Sequence, residues 1–315
     1  MSSTLYINEL QQTSHGALQK VTAGISWRDK ACEVNIGWQG EPCPNPADAL
    51  FLLMSSITIP QNINLSADAT PSGVSTRSIN RLSRGYFPTN DRPNSELAST
   101  DSRPGVQPTS EGVTKGRRQG LLFDGGIDAF HMLAQYKDEV STLVFLNGLH
   151  GDEDQHQSSR HVLKSELQRI QYQSAELNKE LLVLDTNLHD LLATLGISET
   201  LLADSFYAGL GSILGGHISD LLIPGNDKFQ QPEEGFEPGM VIHDFNKLTL
   251  PEKQENMARD QYLMDALRVC WENPRRTYNC GRCKRCTRRI PARRLLESLR
   301  RREAKLVGSR KIQVK

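Results

Sequence analysis

Four short apolar runs constrain the second half of this chain more than anything else in it. Leu121 to Phe123, Leu143 to Leu146, Leu181 to Leu184 and Leu221 to Ile223 are each continuous rather than alternating. An alternating run has one dry face, whereas a short continuous run is dry on both. Between the runs, helical texture is expected over 127–136, 158–180 and 199–214. Buried strands alternating with helices predict a parallel sheet covered on both faces, an α/β fold. Such sheets take their ligands at the carboxyl ends of the strands.

The first of those ends reads Phe123, Asp124, Gly125, Gly126, Ile127, Asp128, Ala129, Phe130. A strand, paired glycines and a helix start present backbone N–H groups to an anion. Glycines in such turns also meet plain steric needs. The second end carries Leu146, Asn147, Gly148, Leu149 and His150, and the third Asp185, Thr186, Asn187 and Leu188. Other candidates are thinner. Asp152, Glu153 and Asp154 with His150 and His156 suit a solvated acidic loop better than a metal site. His217 after Gly215 and Gly216 suits a helix cap, and His243 with Asp244 is a neighbour pair of the kind that is usually structural.

Near the end of the chain, Cys270, Cys280, Cys283 and Cys286 follow the spacing C-x9-C-x2-C-x2-C and use four of the six cysteines. Two overlapping C-x2-C steps bring thiolates onto one small sphere, and Zn²⁺ favours four of them in a closed structural site. An iron–sulfur cluster is the rival, although the further Cys-Pro of the bacterial ferredoxin run is missing. Four unrelated thiols are the third reading. A closed zinc site leaves no position for water, so it would stabilise rather than catalyse. Cys32 and Cys43 match no metal spacing and read as buried or solvated thiols.

The first hundred residues carry less signal. Cys32 to Trp38 alternates as a half-buried strand, Ala47 to Met54 reads as a short buried helix, and Ile63 to Ala67 as another strand. Val74 to Phe87 has the spacing of an amphipathic helix. Pro88 to Gly120 is rich in Pro, Ser, Thr, Asn, Asp and Gly and reads as a linker. The expected organisation is an α+β region over 1–87, a linker over 88–119, an α/β domain over 120–270, and a zinc module with a basic helix over 271–315.

Charge separates the same way. The 315 residues hold 37 Lys and Arg against 37 Asp and Glu, yet Trp271 to Lys315 has 16 basic residues and 3 acidic ones. Arg288 to Arg302 alone contains seven arginines among Ile290, Leu295, Leu296 and Leu299. Such an end suits nucleic acid or an acidic protein as partner, or contact with the acidic body of the chain. Few aromatic residues are interleaved, which argues against stacking on single-stranded bases. No apolar run approaches the roughly 18 residues that span a bilayer. No membrane contact is expected, and metal-type cysteines fit a reducing compartment such as the cytoplasm.

The paired glycines with Asp128, taken with the four-cysteine spacing, resemble the PP-loop ATP pyrophosphatases, in particular 7-cyano-7-deazaguanine synthase and its relatives. Asn147 to His150, Asp185 to Leu188, Leu267 to Trp271 and Tyr278 to Cys283 extend the likeness over roughly residues 118–295. The resemblance implies a HUP-type sheet, ATP and Mg²⁺ as cofactors, and adenylation of a small-molecule or protein carboxylate or carbonyl for attack by a nitrogen or sulfur nucleophile. It places the nucleotide on Gly125, Gly126, Ile127, Ala129, Asn147, Thr186 and Asn187, with Asp128 and Asp124 at the reacting end.

The signature is altered at its hydroxyls. The family pattern is Ser-Gly-Gly-x-Asp-Ser; here Asp124 holds the leading serine position and Ala129 the closing one. An ionised carboxylate cannot donate to phosphate. At about 4 Å and an effective dielectric near 20, each like charge costs on the order of 4 kcal/mol. The usual histidine before the second-strand glycine is Asn147, and the usual acidic residue beyond it is His150. Three readings follow: an ATP-dependent ligase in which Asp124 acts through Mg²⁺, a PP-loop pseudoenzyme with a structural or regulatory role, and a zinc-stabilised protein that binds tRNA or other nucleic acid.

Overall fold

The computed structural model describes residues 4–72, 118–149, 167–168, 170–198, 205–224, 241–243, 248–257 and 282–283. The predicted helix over 74–87, the linker, most of the zinc module and the basic helix lie outside them. Among the described residues, nine strands form one mixed sheet in the order β4-β1-β2-β3-β7-β6-β5-β8-β9.

One half is an antiparallel meander of β1 (Thr4–His15), β2 (Leu18–Trp27) and β3 (Lys30–Gln39), with β4 (Asn64–Ala67) parallel to β1 at the edge. Two-residue turns join the strands at Gly16-Ala17 and Arg28-Asp29, where Gly16 and Arg28 take positive φ. Val21, Ala23, Ile25, Val34, Ile36 and Trp38 are buried in alternation, so this half has one dry face. Only Leu5 and Ile7 give β1 fully buried apolar residues, and its register shifts between Asn8 and Gln11. The bulge and the polar run after it explain why β1 carries no legible strand pattern.

Helix α1 (Pro46–Thr58) covers the dry face. Asn45 caps it by accepting the Asp48 N–H, and Pro46 sits in its first turn. Ala49 to Thr58 are all buried, because α1 is wedged between the meander and helix α4 (Ser205–Ile213). Gly209 permits that approach: a Cβ there would lie 2.8 Å from Leu53 N and 2.9 Å from Ala49 O.

The other half holds β5 (Gln119–Leu122), β6 (Val140–Asn147), β7 (Glu180–Thr186), β8 (Asp220–Ile223) and β9 (Val241–His243), all parallel. Leu143 and Phe145 face one apolar cluster with α2 (Ile127–Gln135), Ile170 and Met257. Val144 faces the other, with α3 (Leu188–Leu195), α4 and α1. The continuous apolar runs are therefore covered on both faces, as their texture requires. The expected helix over 158–180 is helical at 170–176 and has ended before Glu180, where β7 begins.

The expected linker falls between β4 and β5, yet the strands on either side of it share a sheet. β3 pairs antiparallel with β7 through Ile36 with Thr186 and Gly37 with Asp185. One apolar cluster runs from Leu5 and Trp38 through Leu184 to Ile223.

Candidate functional site

In chain order the parallel strands lie third, second, first, fourth, fifth, so the direction of winding reverses beside β5. A doubly wound sheet opens a crevice at that reversal, outside the carboxyl ends of the strands. The Gly-Gly turn stands there. Gly125 has φ +72 and Gly126 is the residue before the first turn of α2. Asp128 lies in that first turn, where the helix dipole favours a carboxylate. Ile127 and Ala129 are buried, about 1% exposed, in the apolar cluster behind the turn. Ala129 thus offers the mouth no polar group.

Asp124 occupies the turn itself. Its Oδ1 accepts the Gly126 N–H at 2.7 Å, and a Cβ built on Gly126 would lie 2.9 Å from that oxygen. A carboxylate of the chain therefore takes a backbone donor that an anion at this helix start would use. It also sits in front of the dipole, where incoming phosphate would be repelled.

A residue that sequence reasoning missed completes this end of the sheet. Lys253 belongs to α5 (Leu250–Met257), which packs on α2, and its Nζ donates to Asp128 Oδ1 at 2.6 Å. The lysine side chain is 7% exposed and the aspartate 39%. At the start of α5 the Glu252 carboxylate reaches back to Thr249, whose N–H and hydroxyl both donate to Glu252 Oε2 at 2.6 Å. The Thr249 hydroxyl and N–H hold the Glu252 carboxyl below the usual carboxylate range. Thr249-Leu-Pro-Glu252 is a local helix-start signal that was present but not read; the pairing of α5 with a residue 125 positions earlier left no such signal.

No family model matches the chain, and no curated protein does.

The second and third strand ends are held by contacts among themselves. Asn147 Nδ2 donates to Asp185 Oδ1 at 2.6 Å, with Asn147 half-buried and Asp185 exposed. Gly148 has φ +98, and a Cβ there would overlap the Thr186 carbonyl oxygen, so this crossing requires glycine. Its own carbonyl accepts the His189 N–H at 3.0 Å. Thr186 Oγ1 accepts the Leu188 N–H at 3.2 Å, at the start of α3. Asn187 spends its amide on the meander: Oδ1 accepts the Asn35 N–H at 2.8 Å, and Nδ2 donates to the Glu33 carbonyl at 2.7 Å. Thr186 and Asn187 thus lie at the carboxyl end of β7, with Asn187 engaged in joining the two halves of the sheet.

Cys283 is buried, 8% exposed, in the apolar cluster that contains Phe130, Leu133 and Met257. Cys270, Cys280 and Cys286 lie outside the described residues, as do His150, Asp152, Glu153, Asp154, His156 and Asp244. Among the described residues, no group of three or more His, Cys, Asp or Glu is placed to hold a metal ion. His217 packs over Gly40 far from the turn, with Nε2 3.1 Å from Glu180 Oε1 at the start of β7. No helix among the described residues is long and apolar enough to cross a membrane.

Proposed function

We propose that this chain is a PP-loop protein of the 7-cyano-7-deazaguanine synthase type whose nucleotide mouth has been closed from within, leaving a structural or regulatory subunit. The bond from Gly126 N–H to Asp124 Oδ1 carries the reading. In a working loop that donor would face phosphate; here an ionised side chain of the loop takes it. The strand order and the position of the turn on the central strand support the HUP-type fold. Cys283, buried against the α2 side of the sheet, supports a docked zinc module held by Cys270, Cys280, Cys283 and Cys286. A structural Zn²⁺ would supply no chemistry there, only cross-linking of the segment. The ATP-dependent ligase remains reachable only if Mg²⁺ draws Asp124 away from Gly126 and onto the phosphates.

Calorimetric titration with ATP, with and without Mg²⁺, tests the closed mouth. The wild type is expected to bind weakly under both conditions. Asp124→Ser removes a like charge and restores a donor, so its affinity for Mg²⁺-ATP should rise at least about tenfold, against the roughly 4 kcal/mol upper figure for the charge. Ala129→Ser is measured separately, because it adds a hydroxyl to a buried apolar position. Tight binding of ATP by the wild type without metal overturns the proposal.

A further inference from the structure

At the far side of the sheet from the Gly-Gly turn, β1 is longer than the strand that covers it. β4 pairs with β1 over Thr4 to Ile7, and the Asp68 N–H closes that ladder on the Ile7 carbonyl at 3.0 Å. The bulge follows: Glu9 takes φ +51, and the register with β2 shifts between Asn8 and Gln11. Beyond it, Gln11 to His15 pair with β2 on one side, and among the described residues no strand pairs with them on the other. The two-residue turn makes His15 and Leu18 a pair that exchanges both backbone bonds. Counting back by twos, Thr13 and Gln11 also bond to β2, which turns the N–H and C=O of Ser14 and Gln12 out to the open edge.

We propose that this edge is a homodimer contact, in which two copies of the chain pair antiparallel through residues 10–14 with Gln12 opposite Gln12. Gln12 supplies the first support. Its side-chain Oε1 is buried and has no hydrogen-bond partner, a costly state for an amide oxygen. In the paired edge a second Gln12 amide lies directly opposite, with Cα atoms about 5.5 Å apart, and brings the missing donor. The sequence supplies the second. A two-fold axis lays each residue against its mirror position, and Glu9 and His15 stand three residues on either side of Gln12. The acid of each copy is thereby brought toward the imidazole of the other. Between them Leu10, Gln11, Gln12, Thr13 and Ser14 carry no charge, proline or glycine. Edges kept from pairing carry lysine, proline or a bulge in the open stretch. Here the bulge only borders it, and Gln11, Thr13, Ser14 and His15 are exposed.

Sedimentation velocity on the full chain reads the dimer. The weight-average mass should rise with concentration, with a dissociation constant on the order of 10–100 µM, because a strand edge buries little apolar area. Gln12→Lys sets like charges opposite each other at the two-fold and should weaken association about fivefold or more; Gln12→Glu should do the same. An equimolar mixture of the two variants should restore it, since unlike charges then face each other. A fold defect in one variant is not repaired by adding the other, so the mixture separates lost pairing from lost folding. Hydrogen exchange over 10–15 should slow as concentration rises. A wild type that stays monomeric up to about 300 µM overturns the proposal. So does a dimer that both variants leave unchanged, or a mixture that restores nothing. Exchange over 10–15 that is slow at every concentration shows that another segment of the same chain covers the edge, and overturns it as well.

Discussion

The antiparallel and parallel halves of the sheet bury their strands by different means, and the candidate site follows that difference. In the meander, β2 and β3 alternate, α1 covers one face, and the other carries residues such as Tyr6, Leu18 and Lys20 that are exposed. In the parallel half, helices cover both faces and the strands carry continuous apolar runs such as Leu143 to Leu146 and Leu181 to Leu184. A parallel strand must be followed by a crossover, so every one of its carboxyl ends opens into a loop at the same edge. That edge gathers Asp124, Asn147, Asp185 and Asn187. The meander's tight two-residue turns have no room for such an assembly; its contribution is to brace β7 through Asn35 and Glu33. Chemistry-bearing residues thus concentrate where topology forces long connections, and the half without them acts as a buttress.

The strongest test of this division concerns the metal. If zinc belongs to the parallel half alone, Cys283→Ser should abolish binding of about one zinc ion per chain. Structural zinc sites are worth roughly 10–16 kcal/mol in small modules, so the loss should release Cys283 from the apolar cluster it shares with α2 and Met257. Elemental analysis together with exchange at 127–135 and 250–257 measures it, with 18–39 as the internal control. Iron in place of zinc, or a meander that melts together with α2, would break the comparison.

A smaller effect is expected at the joint. Asn187→Ala removes two side-chain bonds to the backbone of β3 and leaves an N–H and a carbonyl to find other partners. The cost should be about 2–3 kcal/mol in urea unfolding. Exchange should rise at residues 33–37 together with the start of α3. If only α3 responds, the amide caps its helix rather than bracing the meander.

The smallest effect depends on pH. Burial is the largest cause that pushes the Cys43 thiol up to about 11, from an ordinary 9.0, and its Sγ lies 3.5 Å from the Ser212 carbonyl in α4. The fold holds the neutral thiol, so the unfolded chain releases the proton first. This contribution is intact below pH 9 and is lost as pH rises from there toward 11. It amounts to on the order of 2 kcal/mol. Urea midpoints of the wild type should therefore fall toward those of Cys43→Ala across that window. Parallel curves for the two proteins would show that Cys43 ionises without disturbing the α1–α4 contact.

What the sequence determined is the part of the molecule written in local pattern. Continuous apolar runs specify strands dry on both faces, and Gly125, Gly126 and Asp128 specify a turn into a helix, because both depend on neighbours a few residues away. The helix over Ala47 to Met54 was legible for the same reason, while the local start signal of α5 at Thr249 and Glu252 was present but not read. The first strand was not legible, since β1 has a bulge and few apolar residues and gains its stability from pairing with β2 and β4, whereas β2 carries a plain alternation at Val21, Ala23, Ile25 and Trp27 that was not read. Only the tertiary structure decided that the meander joins the parallel sheet at β3 and β7. It also decided that Asn187 is committed to that seam and that Lys253 meets Asp128 across 125 positions of sequence. The carboxylate of Asp124 was readable as a like charge beside phosphate; its turn back onto Gly126 N–H was not. A side chain's partner is fixed by which atoms the packed chain brings within about 3 Å, and spacing along the sequence carries no record of that distance.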